Sequence, residues 1–109
     1  MSGQTGIRFL DPRLIADLMA KGEVTLVDVR EDHEFGAMRI PGARLVPLSA
    51  FDPEKARPEP GTQLVLHCAA GVRCGAAAQM LRNSGYQGEI LRMAGGIKAW
   101  WAEGLPVER

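Results

Sequence analysis

The chain has 109 residues, a length that suits one domain with a single hydrophobic core. Its 13 basic and 13 acidic residues cancel at neutral pH, which argues against a nucleic-acid binder, because that class shows a basic excess. No apolar run approaches the roughly 20 residues that cross a bilayer, and the opening residues lack the basic and apolar parts of a secretory signal. We therefore expect a cytoplasmic protein with neither nucleic-acid nor membrane partners.

Strand and helix patterns alternate along the chain after a polar opening. Residues 1–6 are predicted to be a flexible tail, and 7–109 the domain. Strands are predicted, in chain order, at 7–9, 24–29, 44–46, 63–67 and 89–92. Helical patterns follow Asp11 as N-cap, lie within 31–35, run from Ser49 to Ala56 and from about Arg73 to Asn83, and cover 97–101. This alternation predicts an α/β fold with a central parallel five-stranded sheet and helices on both faces.

The strand at 63–67 leads into a loop of small residues that begins with a cysteine. Cys68 stands where the strand ends, and Arg73 stands five residues later, where a helix begins. The N-terminus of that helix, the inward-turned amides that Gly71 permits and the Arg73 guanidinium all favour a thiolate. We therefore predict Cys68 as a catalytic nucleophile. The predicted anion-binding residues are Ala69, Ala70, Gly71, Val72 and Arg73.

A structural cysteine and a metal site are the simpler interpretations of this loop. A buried core cysteine would need neither a cradle of amides nor an arginine, so the loop composition favours chemistry. Zinc is not expected, because Cys68 and Cys74 are the only cysteines and His33 and His67 the only histidines. No cofactor is predicted.

Three separated motifs resemble the signatures of single-domain rhodaneses, a family of sulfurtransferases. The motifs are Val27-Asp28-Val29-Arg30-Glu31 with Glu34-Phe35 and Ile40-Pro41-Gly42-Ala43, then His67-Cys68 to Arg73, then Gly95-Gly96-Ile97 with Trp100 and Gly104-Leu105-Pro106. Together they cover nearly all of 7–106 and occur in the family's order. The resemblance implies a rhodanese-like fold.

The resemblance also implies a reaction. The Cys68 thiolate would attack the outer sulfur of a small anionic donor, thiosulfate or another persulfide donor, and hold that sulfur as a persulfide. Cyanide or a thiol would then accept it, and a protein sulfur acceptor is a further expected partner. The loop has no basic residue at Ala69, Ala70 or Val72, which weakens the case for thiosulfate as the preferred donor.

Three other functions remain as alternatives. Cysteine-based phosphatases and arsenate reductases of similar fold place five residues between cysteine and arginine, whereas four separate Cys68 from Arg73 here, which favours sulfur transfer. A sulfur-carrier module in a relay needs the same persulfide, so the sequence does not separate it from an enzyme. A binding module without activity is disfavoured by the retention of Cys68, Gly71 and Arg73.

Several neighbouring residues are predicted to act as accessories. Asp28 and Arg30 end a strand on the crevice side and are expected to form a structural ion pair or to orient the loop. Cys74 stands where the family commonly has a hydroxyl residue; it is predicted to tune or protect the thiolate, with a resolving thiol as the alternative. Arg39 is expected in a surface ion pair, with a position near the mouth of the pocket as the alternative. His67 should point to the opposite face of the sheet from Cys68.

Overall fold

Five strands form the centre of the fold in the computed structural model, which describes residues 7–109. They are β1 (Ile7–Leu10), β2 (Val24–Asp28), β3 (Arg44–Leu45), β4 (Gln63–His67) and β5 (Ile90–Met93). The sheet order is β1-β5-β4-β2-β3, and all neighbouring strands are parallel. The predicted parallel five-stranded sheet is confirmed. The flexible tail predicted for residues 1–6 lies outside the described residues.

Helices cover both faces of the sheet, as the alternating pattern predicts. They are α1 (Pro12–Ala20), α2 (Asp32–Ala37), α3 (Cys74–Asn83) and α4 (Gly96–Ala102). Alternate residues of β4 enter two cores: Leu64 and Leu66 pack on the α3 side, whereas Val65 packs with residues of α1 and α4. Within residues 7–109, no helix has the length and apolar character needed to cross a membrane.

The helix predicted from Ser49 to Ala56 is wrong. The chain forms a single 3-10 turn, Leu48–Ala50, and Phe51 is already extended at ψ 121°. Pro53 explains the break, because the residue before a proline is disfavoured in the helical region. The Asp52 side chain instead accepts a bond from the Glu54 amide at 3.0 Å, which closes a local turn.

Parallel strands bring their carboxyl ends to one edge, and Cys68 follows β4 there. Helix α4 begins at this edge, shortly after β5 ends, and is anchored by Trp100, which is 3% exposed and donates from Nε1 to the Pro106 carbonyl at 2.7 Å. Trp101, at 56% exposure, faces away from the core.

Candidate active site

The segment of residues 68–73, called the Cys68 loop below, joins β4 to α3. Gly71 adopts φ +94°, and its amide donates to the Cys68 Sγ at 3.1 Å. Cys68 is 1% exposed, so its sulfur lies beneath the loop. Hydrogen bonding from the Cys74 thiol, with the amides of Cys74, Gly71 and Arg73, lowers the pKa of Cys68 to about 4 against the opposing effect of burial. The structure therefore gives Cys68 a thiolate environment at neutral pH.

The first part of the loop is fixed by the N-terminus of α4. The amide of Ile97 donates to the Cys68 carbonyl at 2.8 Å, and the amide of Lys98 donates to the Ala69 carbonyl at 3.1 Å. This approach needs a glycine at 96, because a Cβ there would lie 2.4 Å from the Cys68 oxygen and the residue has φ +62°. The Gly95-Gly96 motif thus lets two backbone segments meet without a side chain between them.

The last part of the loop is held by a carboxylate. Arg73 donates from Nη1 and Nη2 to Glu34 Oε1 and Oε2 of α2, at 2.8 and 2.9 Å. This bidentate pair, chiefly through its hydrogen bonds, lowers the pKa of Glu34 to about 2 and raises that of Arg73. Both Nη groups of Arg73 are engaged, so its contact with a substrate stays a prediction.

Asp28 and Arg30 form a buried ion pair, as expected. Arg30 Nη2 lies 2.8 Å from Asp28 Oδ2 and also donates to the Met38 carbonyl at 2.7 Å, while its Nη1 donates to the Glu34 carbonyl at 3.4 Å. Arg30 thereby binds α2 at the Glu34 carbonyl in its middle and at its C-cap, Met38, and α2 presents the Glu34 carboxylate. The two accessory residues reach the Cys68 loop through Glu34.

His67 packs on the opposite face of the sheet from Cys68, as predicted. Its ring Nε2 lies 3.5 Å from Asp28 Oδ2, whereas Cys68 belongs to the core on the α3 side. Burial lowers the pKa of His67 despite the nearby carboxylate, so the ring is neutral at pH 7. This placement gives it no direct access to the reactive sulfur.

Cys74 is the first residue of α3 and is fully buried. Its hydrogen bond to Cys68, followed by burial and the Cys68 charge, raises the pKa of the Cys74 thiol far above its ordinary value. Cys74 therefore remains protonated and donates to Cys68. The tuning role predicted for Cys74 in catalysis stays a prediction, which this hydrogen bond supports.

Comparisons with known proteins agree with this geometry. The rhodanese-like domain family matches residues 11–103. The chain belongs to this family. It is 38% identical over 105 residues to protein slr1261 of Synechocystis, covering 96% of the chain but 58% of that protein. It is also 31% identical to a sulfurtransferase of Allochromatium vinosum, covering 90% of the chain and 92% of that protein.

A solved structure gives the same fold. A rhodanese-related protein of Thermoplasma volcanium superposes with a TM-score of 0.77 at 28% identity, covering 93% of this chain and 97% of that one. The predicted rhodanese-like α/β fold is confirmed. The chain spans less than two thirds of the length of slr1261, at 58%.

The rim of this rhodanese-like loop is uncharged. Ala70 and Val72 are exposed, Val72 at 78%, and Arg73 points back to Glu34. Because Arg73 is paired with Glu34, the low pKa of Cys68 comes mainly from hydrogen bonds donated by the Cys74 thiol and by backbone amides.

Arg39, outside the Cys68 loop, forms an ion pair with Glu108, with 3.3 Å between Nε and Oε1, as expected for a surface pair.

Sequence reasoning missed two residues of the rhodanese-like site. The motif that contains Glu34 does not reveal its contact with Arg73, although its position three residues after Glu31 indicates the capping box that the structure contains. Arg92 was placed only at the end of the last strand. Its Nη2 donates to the Gly71 carbonyl at 3.0 Å, beneath the Cys68 loop. A cation in an otherwise apolar strand beside β4 is the signal that could have found it.

The structure also contains an apolar depression of about 280 Å³, away from the reactive sulfur. It is lined by Ala16, Met19, Ala20, Pro41, Trp100 and Pro106. None of these residues belongs to the Cys68 loop, and the lining carries no titratable side chain. We therefore assign it no part in the chemistry of Cys68.

Proposed function

We propose that this rhodanese-like chain is a sulfurtransferase that carries a sulfane sulfur as a persulfide on Cys68. The donor is thiosulfate or another persulfide, and the acceptor is cyanide or a thiol. The observation that carries the proposal is the environment of Cys68, whose pKa is lowered to about 4 by one thiol and three backbone amides. A buried structural cysteine would have its pKa raised instead.

A thiol of low pKa suits both halves of such a reaction. The thiolate is the attacking form in the first step. In the second step Cys68 is the leaving group, and thiols of low pKa leave faster in exchange at sulfur. The same hydrogen bonds therefore assist loading and unloading. This symmetry fits a residue that forms and breaks one S–S bond in each cycle.

The loading step follows from these contacts. The Cys68 Sγ attacks the outer sulfur of the donor, the donor S–S bond breaks, and the leaving group departs with the electron pair, as sulfite from thiosulfate. The outer sulfur of the persulfide then carries negative charge. The amides of Gly71, Arg73 and Cys74 turn toward Cys68 and are available to stabilise that charge. An acceptor attacks the outer sulfur and restores the Cys68 thiolate.

The uncharged rim bears on the choice of donor. Thiosulfate is a dianion, and the exposed rim residues Ala70 and Val72 offer it no cation. An organic persulfide carries less charge and presents an apolar stem. We therefore propose that an organic persulfide is used more efficiently than thiosulfate, and that a protein thiol can serve as the acceptor in a relay. The ratio of kcat/KM for a simple alkyl persulfide and thiosulfate measures this preference.

Intact mass tests the proposal directly. After incubation with thiosulfate or inorganic polysulfide, the chain should gain about 32 Da, and dithiothreitol should remove the gain. Cys68→Ala should gain nothing, whereas Cys74→Ser, which keeps Cys68 and a hydrogen-bond donor, should still gain it. Initial rates with donor and acceptor varied together should follow ping-pong kinetics.

An opposite result would support the phosphatase alternative. Turnover of p-nitrophenyl phosphate that depends on Cys68, with no mass gain from any sulfane donor, would contradict sulfur transfer. The four residues between Cys68 and Arg73 lead us to expect no such turnover.

A further inference from the structure

Cys74 and Cys68 form a buried pair, and the proposed sulfur transfer uses Cys74 only as a hydrogen-bond donor. Both lie in the core on the α3 side and are 0% and 1% exposed. Cys74 follows directly after the Cys68 loop, and its thiol donates a hydrogen bond to Cys68. The two side chains therefore lie in contact within the same buried cluster.

Arg92 approaches Cys74 from the other side. Its Nη2 donates to the Gly71 carbonyl at 3.0 Å, and its guanidinium lies 4.3 Å from the centre of the Phe9 ring. A Cβ on Gly75, the residue after Cys74, would lie 3.4 Å from Arg92 Nη2. The guanidinium is thus packed against the first turn of α3, next to the Cys74 thiol.

The charge of Arg92 has no carboxylate partner among residues 7–109, and its buried Nε has no hydrogen-bond partner there. A partly buried cation at the positive end of a helix is unfavourable unless an anion lies nearby. The two cysteine sulfurs are the groups beside it that can become anionic. Arg92 is therefore placed to stabilise a thiolate at Cys74.

The state of Cys68 decides whether that thiolate forms. Cys74 is held protonated first by its hydrogen bond to Cys68, next by burial, which acts in both states of Cys68, and then by the Cys68 charge, while Arg92 lowers the pKa of Cys74. In a persulfide the negative charge moves from the Cys68 Sγ to the outer sulfur. The two effects of Cys68 then weaken, whereas the effect of Arg92 remains. Loading Cys68 should therefore activate Cys74.

We propose that Cys74, assisted by Arg92, attacks the Sγ of the Cys68 persulfide and releases hydrosulfide, leaving a Cys68–Cys74 disulfide. This second activity rests on the proposed sulfur transfer, because it starts from the persulfide. The bond between Sγ and the outer sulfur breaks as the Cys68–Cys74 bond forms. The outer sulfur is reduced to sulfide and leaves with the electron pair and the Cys74 proton, so no external oxidant is needed.

Attack at Sγ, rather than at the outer sulfur, follows from the position of Cys74. Its thiol contacts Cys68 itself from within the core, whereas an external acceptor reaches the outer sulfur from the rim. An external acceptor receives sulfane sulfur, and without one the chain releases sulfide. A small thiol such as glutathione then reduces the disulfide and resets both cysteines.

The test follows the loaded chain after the donor has been removed under anaerobic, acceptor-free conditions. The mass of the wild-type chain should fall from about 32 Da above the reduced form to about 2 Da below it, with about one equivalent of sulfide trapped by monobromobimane. Peptide mapping should find the Cys68–Cys74 link. Cys74→Ser should keep the added mass and release no sulfide.

Arg92 is tested with a matched pair of variants. Each variant is first loaded to completion, and only the conversion of the loaded chain is timed: Arg92→Gln should convert at least about tenfold more slowly than wild type, whereas Arg92→Lys, which keeps the charge, should convert faster than Arg92→Gln. Equal rates of sulfide release from wild type and Cys74→Ser would overturn the proposal, although the proposed sulfur transfer would stand. Equal conversion by Arg92→Gln and wild type would overturn the part assigned to Arg92.

A second measurement decides the case even if no donor loads Cys68. Diamide forms an adduct with a reactive thiolate, which a neighbouring thiol displaces to give a disulfide. The wild-type chain should lose about 2 Da within one molecule, and Cys74→Ser should retain the adduct or form intermolecular links. Failure to form the intramolecular disulfide with diamide would overturn the proposal independently of sulfur transfer.

Discussion

The two halves of the Cys68 loop are held by different kinds of contact. The strand half, next to β4, is fixed by backbone: amides of Ile97 and Lys98 in α4 donate to the carbonyls of Cys68 and Ala69. The helix half, next to α3, is fixed by side chains: Glu34 binds Arg73, and Arg92 binds the Gly71 carbonyl. The loop begins with Cys68 and is followed directly by Cys74, and the pKa values of the two thiols are shifted in opposite directions.

Because of this difference, the position of Cys68 depends on backbone contacts, whereas the charge on its sulfur can be adjusted through side chains. Backbone contacts depend on conformation and close approach, so changes at a glycine should break them, whereas most side-chain changes leave them intact. Side-chain contacts adjust the thiolate step by step, through a carboxylate, a guanidinium and a second thiol. The strand half therefore positions Cys68. The helix half sets the charge state of Cys68 and leads to the second thiol, Cys74.

Gly96→Ala should have the largest effect, because it disrupts the backbone contacts that hold the strand half of the Cys68 loop. Its Cβ would lie 2.4 Å from the Cys68 oxygen and 2.6 Å from that of Ala69, at φ +62°. We expect a loss of about 2–4 kcal/mol in the free energy of unfolding and at least about a hundredfold slower loading of Cys68. Urea unfolding and mass-based persulfide formation measure the two effects.

Gly104→Ala is the matched control for this change. Gly104 has φ +76°, but nothing lies within 4 Å of a Cβ there. It should lose only about 1 kcal/mol of stability from the strained backbone, and its loading rate should not change. Equal effects of the two variants would show that close approach to the loop is not what Gly96 provides.

Changes at Cys74 should act next most strongly, through the pKa of Cys68. Cys74→Ala removes the first cause of the lowered pKa, whereas Cys74→Ser replaces one donor by another. At about pH 5, we expect iodoacetamide to alkylate Cys68 roughly tenfold more slowly in Cys74→Ala than in Cys74→Ser. Alkylation rates over a pH series measure the midpoint in each, and identical midpoints would assign the low pKa to the amides alone.

The same division decides what the sequence predicts well. Backbone motifs are local, so the run to Cys68, the glycines at 71, 95 and 96, and the strand-helix alternation indicate the fold and the nucleophile directly. Side-chain partners such as Glu34 and Arg92 come from elements 39 and 21 residues away from their partners in the loop. No local period encodes such pairs, because sheet order brings them together. The wrong helix at 49–56 had a local cause, the proline at 53, that outweighed the apparent cap.

Glu34→Gln should have a smaller effect, because it loosens the side-chain-held half without a clash. The amide keeps the shape but loses the charge that holds Arg73. We expect about 1 kcal/mol lower stability and about a three- to tenfold lower rate of sulfur transfer. Glu108→Gln, which breaks the surface pair with Arg39, is the control and should change neither by a measurable amount. A rate unchanged in Glu34→Gln would show that Arg73 holds the loop without its carboxylate.

The smallest expected effect is the acid dependence of that ion pair. The pKa of Glu34 is about 2 in the folded chain against an ordinary value of 4.5, so between these values the unfolded chain binds a proton that the folded chain does not. The contribution of Glu34 to stability is therefore complete above about pH 4.5 and is lost as the pH falls toward 2. Its size should be about 1 kcal/mol, since the Arg73 and Glu34 side chains are 33% and 25% exposed.

Urea unfolding between about pH 6 and pH 3 measures this contribution when Cys68→Ser is compared with the double variant that also carries Glu34→Gln. Both chains carry Cys68→Ser because it removes the thiolate that titrates in the same range. The stability difference between the two chains should shrink as the pH is lowered, and a difference that stays constant would assign the contact between Glu34 and Arg73 to hydrogen bonding that survives protonation.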